Sequence, residues 1–189
     1  MGMPAAHPVS TIEELLGLPE DGLRHELLDG EHVVTPAPRL VHQAVVGEIY
    51  LALAEAVRGR ADLRVFTSPA DVVLGPRTLV QPDVFVIRQD PASPVTEWSE
   101  VRTLALAVEV LSPTTAARDR LAKRRIYQQA TVAEYWIVDP DARLVERWTP
   151  DDERPEIADG TLRWNPVDEV ETEIDLRELF RKAVGEIGG

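Results

Sequence analysis

The hydrophobic pattern changes period several times along the chain, and each change marks an element. From Leu40 to Arg58 the apolar residues Val41, Val45, Ile49, Ala52, Leu53 and Ala56 recur at helical spacing, which predicts a helix of about five turns. Gly59 stands where that helix should stop. Upstream, STIEELLGLPEDG predicts a short helix with Ser10 as N-cap and Glu13 completing a capping box. RHELLDGEHVVT predicts two short strands joined at Asp29-Gly30, a dipeptide suited to a tight hairpin turn.

LRVFTSPADVVL and LVQPDVFVI read as strands on either side of a turn at Gly75-Pro76-Arg77-Thr78. LALAVEVL, residues 104–111, is apolar at seven of its eight positions and therefore reads as a central strand covered on both faces. SPTTAARDRLAKRRIYQQA places capping residues ahead of a helical pattern carried by Leu121, Ile126 and Tyr127. EYWIVDP is a short strand stopped by Pro140, and RLVERWTP is its hairpin partner across residues 139–142. The order from Leu40 to Asp139, helix-strand-strand-strand-helix-strand, predicts an α/β fold: a mixed central sheet flanked by helices.

Length favours one domain. We assign it to residues 10–148, after a disordered start at 1–9 and before an acidic extension, 149–189, that packs on the same domain and ends in a short helix around DLRELFRKAVGEI. No window has the length and apolarity of a membrane span, and the N-terminus lacks the basic-then-apolar order of a signal peptide. The expectation is a cytoplasmic protein with no membrane partner. With zero cysteines, any metal must be held by oxygen or by one of four histidines, and oxygen ligands favour Mg2+, Mn2+ or calcium.

A net charge of -13 argues against nonspecific affinity for nucleic acid. The charge is uneven, however. Residues 150–189 hold 12 acidic and 5 basic side chains, whereas RDRLAKRR at 118–125 holds five basic and one acidic. Lys123 and Lys182 are the two lysines of the sequence.

Glu109 sits inside the most apolar strand, where an uncompensated carboxylate costs several kcal/mol or is forced to neutralise. It therefore needs a metal, a cation or a proton. Strand alternation puts Ala105, Ala107, Glu109 and Leu111 on one face, and the small neighbours leave room for an ion or a ligand. Asp83, in Gln81-Pro82-Asp83, opens the preceding strand, where a proline can lack its amide donor without breaking a ladder. Two carboxylates on neighbouring strands can meet at one edge of the sheet and hold a hard cation, which polarises a phosphoryl oxygen and generates hydroxide near neutral pH. Lys123 lies 14 residues after Glu109 on the following helix, and its stem is long enough to carry an ammonium to the Glu109 face. Pairing of Lys123 with Asp119 along an exposed helix is the plainer alternative.

Gln81-Pro82-Asp83, Val108-Glu109-Val110-Leu111-Ser112-Pro113-Thr114, Asp119 with Lys123, Tyr127, and Glu134-Tyr135-Trp136-Ile137-Val138-Asp139-Pro140 together resemble the Uma-two family of restriction endonucleases, within the PD-(D/E)XK nuclease superfamily. His25-Glu26-Leu27-Leu28-Asp29-Gly30 and His42-Gln43 resemble the family's N-terminal motifs, so the likeness spans roughly residues 10–148. The resemblance implies a restriction-endonuclease-like core, an Asp and a Glu that bind magnesium, and a catalytic lysine. The nominal lysine position on the strand is Leu111, and the resemblance moves the role to Lys123.

Glu26 is a further acid for such a site, or a hairpin residue paired with Arg24 or solvent. His42, at the start of the long helix, could bind phosphate or orient water, or is a polar surface residue. Arg118, Arg120, Arg124 and Arg125 form either a solvated helix face or a contact for the nucleic-acid backbone. The leading expectation is a DNA endonuclease using Mg2+ (or Mn2+). A homodimer forming a groove, or basic residues gathered on one face, would reconcile DNA with the acidity. One alternative is a nuclease fold kept as a catalytically weak binding or assembly module. Another, a hydrolase of small phosphorylated molecules, fits the charge but finds no Gly-rich phosphate loop in the sequence.

Overall fold

The computed structural model describes residues 9–101, 103–113, 115–166 and 172–185, so the first eight residues of the expected disordered start lie outside it. The first helix, α1 (Ile12–Leu16), has its capping box one residue later than expected: Thr11 Oγ1 accepts from Glu14 N, and Glu14 Oε2 accepts from Thr11 N. Glu14 can also collect the amide of Ser10, and that extra donor favours this register over Ser10 with Glu13. Strands β1 (Arg24–Leu28) and β2 (Glu31–Thr35) form the expected hairpin. Asp29 and Gly30 both have positive φ, 52° and 87°, as a type I′ turn requires. At Gly30 the Arg77 guanidinium occupies the space a Cβ would need. Gly30→Ala therefore meets both a clash and a left-handed backbone costing about 1–2 kcal/mol, and thermal denaturation should show a Tm lower by about 4 °C.

Helix α2 (Leu40–Ala56) buries His42, Val45, Val46, Ile49 and Leu53. The expected face is rotated: Val41 is 40% exposed, and His42 takes the inward place at the first turn. The next strands are β3 (Leu63–Thr67), β4 (Val72–Gly75), β5 (Thr78–Val80) and β6 (Val84–Arg88). Two runs that read as single strands in the sequence are thus each broken in two. The breaks fall at Ser68-Pro69 and Gln81-Pro82, where proline supplies no amide to a ladder. The central halves, β4 and β5, leave the main sheet and pair with each other, and β5 pairs with β1, giving a four-stranded sheet of order β2-β1-β5-β4.

Strand β7 (Leu104–Val110) is buried along its whole length. A helical crossover follows, made of α3 (Ala116–Arg118), a π-helical turn (Asp119–Lys123) and α4 (Arg124–Gln129). It delivers β8 (Tyr135–Asp139) parallel to β7, and β9 (Leu144–Trp148) returns antiparallel. After β10 (Glu156–Ala158) come the hairpin β11 (Thr161–Trp164) and β12 (Thr172–Asp175) and then α5 (Leu176–Val184). The main sheet has the order β10-β9-β8-β7-β6-β3, so the α/β core of the sequence reading is present with the β4–β5 hairpin inserted into it.

Two apolar layers cover the main sheet. On one face Leu106, Val108, Val110 and Trp136 pack with Val45, Ile49 and Leu53 of α2 and with Leu176, Leu179 and Phe180 of α5. On the other, Ala107, Leu111, Phe85 and Ile137 pack with Leu28, Val72 and Val80 of the second sheet and with Ile126 and Tyr127 of α4. A register shift opposite Val86 and Ile87 puts Ala105 in the first layer, so the alternation leading to Glu109 holds only from Leu106 onward. No helix among the described residues is long and apolar enough to cross a membrane.

Candidate active site

The charged residues of the core collect where the C-terminal end of β7, the start of β6, β1 and the π-helical turn meet. Val84 pairs with Val108 and Phe85 with Ala107, and one further step of that antiparallel register sets Asp83 opposite Glu109 on the same face. Asp83 is fixed by the corner before it. Ser68 Oγ donates to the carbonyls of Gln81 (3.1 Å) and Pro82 (2.7 Å). The Asp83 carboxylate then ends the ladder itself, because its Oδ2 accepts the backbone amide of Val110 at 2.8 Å and is 3.1 Å from His42 Nε2. Its Oδ1 accepts from Arg24 Nη1 at 2.7 Å.

Glu109, 1% exposed, answers its need for a cation with Lys123. The Lys123 Nζ donates to Glu109 Oε1 at 2.7 Å and is 2.8 Å from Glu26 Oε1. Tyr127 OH also donates to Glu109 Oε1, at 2.9 Å. The π-helical turn places Asp119 and Lys123 inward together with Ile126 and Tyr127, while Leu121, expected on the apolar face, is 58% exposed. The Tyr135 OH anchors this turn by donating to the Asp119 carbonyl at 3.1 Å. Glu26 Oε1 accepts from the Gln81 amide at 2.8 Å, but its Oε2 is buried without a partner.

Four carboxylates, Glu26, Asp83, Glu109 and Asp119, thus face three permanent cations: Lys123, Arg24 and, 4.0 Å from Asp119, Arg118. Burial works against the charge of each of the four carboxylates and of Lys123 and Arg24. For Asp83 the hydrogen bond from His42 and the charges of Arg24 and Lys123 outweigh burial and hold the carboxyl down at about 2. For Glu26, Lys123 and Arg24 likewise overcome burial, and the pKa is lowered. Glu109 goes the other way: burial, together with repulsion from Asp83, Asp119 and Glu26, outweighs Lys123 and pushes it up to about 8. Burial raises Asp119 despite Lys123. The ammonium, although burial lowers its pKa, is raised by Glu109, Glu26 and Asp119. Both members of the Lys123–Glu109 pair are raised: burial and the neighbouring carboxylates disfavour charge on Glu109, and those same carboxylates favour it on Lys123.

Asp83, Arg24 and His42 line a cleft of about 430 Å³, walled also by Arg39, Gln43, Ser68, Ser112 and Thr115. Glu109, Lys123 and Glu26 lie behind it, each 1% exposed or less. No three acidic or histidine side chains among the described residues converge as a ready-made metal cage. The donor set nevertheless fits a hard divalent ion: the oxygens are anionic, Glu26 Oε2 is orphaned, and the charge deficit met by a proton on Glu109 is one an ion could meet. Magnesium in particular is commonly held by one or two carboxylates plus water and substrate oxygens.

The structure brings Asp83, Glu109, Lys123, Glu26 and His42 together. It does not group the four arginines. Arg118 Nη2 donates to Thr35 Oγ1 near the cleft (3.0 Å), Arg120 pairs with Asp139 (2.9 Å) and Glu146 (2.6 Å), Arg124 lies over the Trp148 ring, and Arg125 is exposed. The sequence offered Arg24 only as a partner for Glu26 and Tyr127 only as part of the helical pattern and the family likeness, whereas Arg24 bonds Asp83 and Tyr127 bonds Glu109. Arg24 shares a strand face with Glu26 by simple alternation, and Tyr127 follows Lys123 by four residues, so both signals were present.

Among curated proteins, none matches this chain. Among solved structures, a protein from Anabaena variabilis, described as "a putative nuclease belonging to DUF820", superposes with a TM-score of 0.74 at 21% identity, over 92% of this chain and 99% of that one. At that identity the likeness establishes the shared fold. The Uma2 family, described as "Putative restriction endonuclease", matches residues 12–179, so the match also takes in β10 to β12 and part of α5. Extending over most of the sequence, it places the chain in the Uma2 family.

Proposed function

We propose that the protein is a metal-dependent endonuclease that hydrolyses DNA phosphodiester bonds, with Asp83 and Glu109 as the ligands of a Mg2+ or Mn2+ ion. The observation that carries this reading is the convergence of Asp83, Glu109 and Lys123, remote in sequence, beside one cleft. The family's description as a restriction endonuclease and the fold shared with a protein described as a nuclease support it.

When bound, the ion would polarise a phosphoryl oxygen and lower the pKa of an attacking water. The remaining tasks fall to the chain. Asp83 is held ready as a carboxylate by His42, Arg24 and the Val110 amide, so it needs no deprotonation to serve. Tyr127 and Lys123 fix Glu109 Oε1. Lys123 supplies a fixed positive charge behind the ligands, which favours the extra negative charge of a phosphoryl transition state. Among the described residues the cleft carries two arginines, Arg24 and Arg39, and one acidic side chain, Asp83, so the local charge suits phosphate within an acidic protein.

The net charge of -13 favours a second reading, a module with this fold and little turnover. Cleavage measured with Mg2+ and Mn2+ on supercoiled plasmid and on single-stranded, duplex and branched oligonucleotides separates the two. We expect metal-dependent nicking that is abolished in Asp83→Ala and in Glu109→Ala. Nicking that persists in both variants identifies a contaminant, and metal binding without cleavage of any substrate favours the module.

A further inference from the structure

Two of the three cations, Lys123 and Arg24, contact Glu26, Glu109 and Asp83, and they differ in one respect. Lys123 is completely buried, held between Glu26 and Glu109. Arg24 is partly exposed, and it lines the cleft. Its guanidinium is the partner of Asp83 Oδ1, whereas Oδ2 is already held by the Val110 amide and His42. Its other hydrogen bond is a contact of 3.3 Å from the same Nη1 to the Gln81 carbonyl, and its charge also acts on Glu109 and Glu26 without touching them. It stands at the open end of the β1–β2 ladder, paired with Thr35, with Gly22 at φ 77° two residues before it.

We propose that Arg24 is a tethered counter-ion of Asp83 that a divalent cation displaces, and that the freed guanidinium turns into the cleft to hold a substrate phosphate. This rests on the metal-dependent reading above. Oδ1 is the Asp83 oxygen whose partner can leave: the Val110 amide is fixed in the backbone of β7, whereas Arg24 is a side chain held by Asp83 Oδ1 and the Gln81 carbonyl, and an arriving dication would replace the charge it offers Glu109 and Glu26. A guanidinium so released keeps its charge and meets, among the described residues of the cleft wall, no carboxylate other than Asp83. Phosphate is the anion its planar fork recognises. The arrangement couples the two ligands: an ion on Asp83 makes Arg24 available, and a phosphate on Arg24 leaves Asp83 free for the ion.

The test is the affinity of the full-length protein for Mn2+, read by electron paramagnetic resonance, and for a 5′-phosphorylated oligothymidine, read by fluorescence anisotropy. For Arg24→Gln we expect Mn2+ to bind at least tenfold more tightly than to the parent and the oligonucleotide at least tenfold more weakly. An unchanged or weaker Mn2+ affinity in Arg24→Gln overturns the proposal while leaving the nuclease reading standing. Absence of Mn2+ binding to the parent overturns both. Should Arg24→Gln fail to fold, the side-chain Nε–H resonance of Arg24 in the parent decides instead: it must move as Mg2+ is added, and a resonance that stays put rejects the exchange.

Discussion

Lys123→Met will destabilise the protein by about 3–5 kcal/mol near neutral pH, the cost of stranding a buried carboxylate after its partner is removed. Methionine has nearly the length of the lysine stem, so apolar contacts survive and the loss is chiefly one of charge. The ammonium contacts two carboxylates at 2.7 and 2.8 Å, and its removal leaves Glu26 and Glu109 beside Asp83 and Asp119 with Arg24 as the nearest remaining cation. For a chain of this size the loss corresponds to a Tm lower by roughly 6–20 °C. The sign with pH follows from Glu26, whose folded pKa lies below its ordinary value because of Lys123 and Arg24. Stability from such a group is present above the unfolded pKa and disappears as pH falls through the folded one, so the penalty of Lys123→Met must shrink on acidification. Urea denaturation at pH 7 and pH 4 measures both. A double variant with Glu26→Gln should recover part of the loss, since the carboxylate that Lys123 holds ionised is then absent. Equal stability of parent and Lys123→Met at pH 7 would mean that Lys123 compensates nothing.

The sequence made some parts of this site legible and hid others, for reasons that differ residue by residue. Glu109 was visible because a carboxylate amid LALAVEVL violates the pattern around it, and Asp83 because a Pro-Asp step opens the strand next to it. The Lys123 amine lies 2.7 Å from Glu109, within reach as its stem length suggested, but the apolar face of that helix was misjudged. Leu121 is exposed, and the inward positions are Asp119, Lys123, Ile126 and Tyr127, a half-charged stripe that hydrophobic periodicity passes over. The second sheet was not legible. Prolines at 69 and 82 announced interruptions, but where β4 and β5 go afterwards depends on pairings such as Leu27 with Leu79, 52 residues apart, which no local pattern encodes. The contact of Arg24 with Asp83 was hidden for the same reason: the two meet only once β1 is laid across the end of the main sheet.

Glu109→Gln will move catalysis and stability in opposite directions. Metal-dependent nicking should fall by about 10²–10³-fold or more, because a neutral amide replaces an anionic ligand of the proposed ion and removes the charge it shares with Lys123. Stability should rise at alkaline pH. The folded-state pKa of Glu109, about 8, is above its ordinary value of 4.5, so between these limits the folded protein binds more protons than the unfolded one and loses stability as pH increases. Glutamine has the same shape, can accept from Tyr127 and Lys123, and titrates nothing, so its variant lacks that decline. At pH 9 it should exceed the parent by at least about 1 kcal/mol, or roughly 2–4 °C in Tm, and the advantage should narrow toward pH 5, where the parental carboxyl is protonated. Asp83 and Glu26, whose pKa values are lowered, produce the opposite slope at acid pH in both proteins and so cancel from the comparison. Parallel Tm curves for the two proteins from pH 5 to 9 would show that Glu109 is ionised and fully compensated by Lys123 throughout, and the charge deficit that makes room for a divalent ion would not exist.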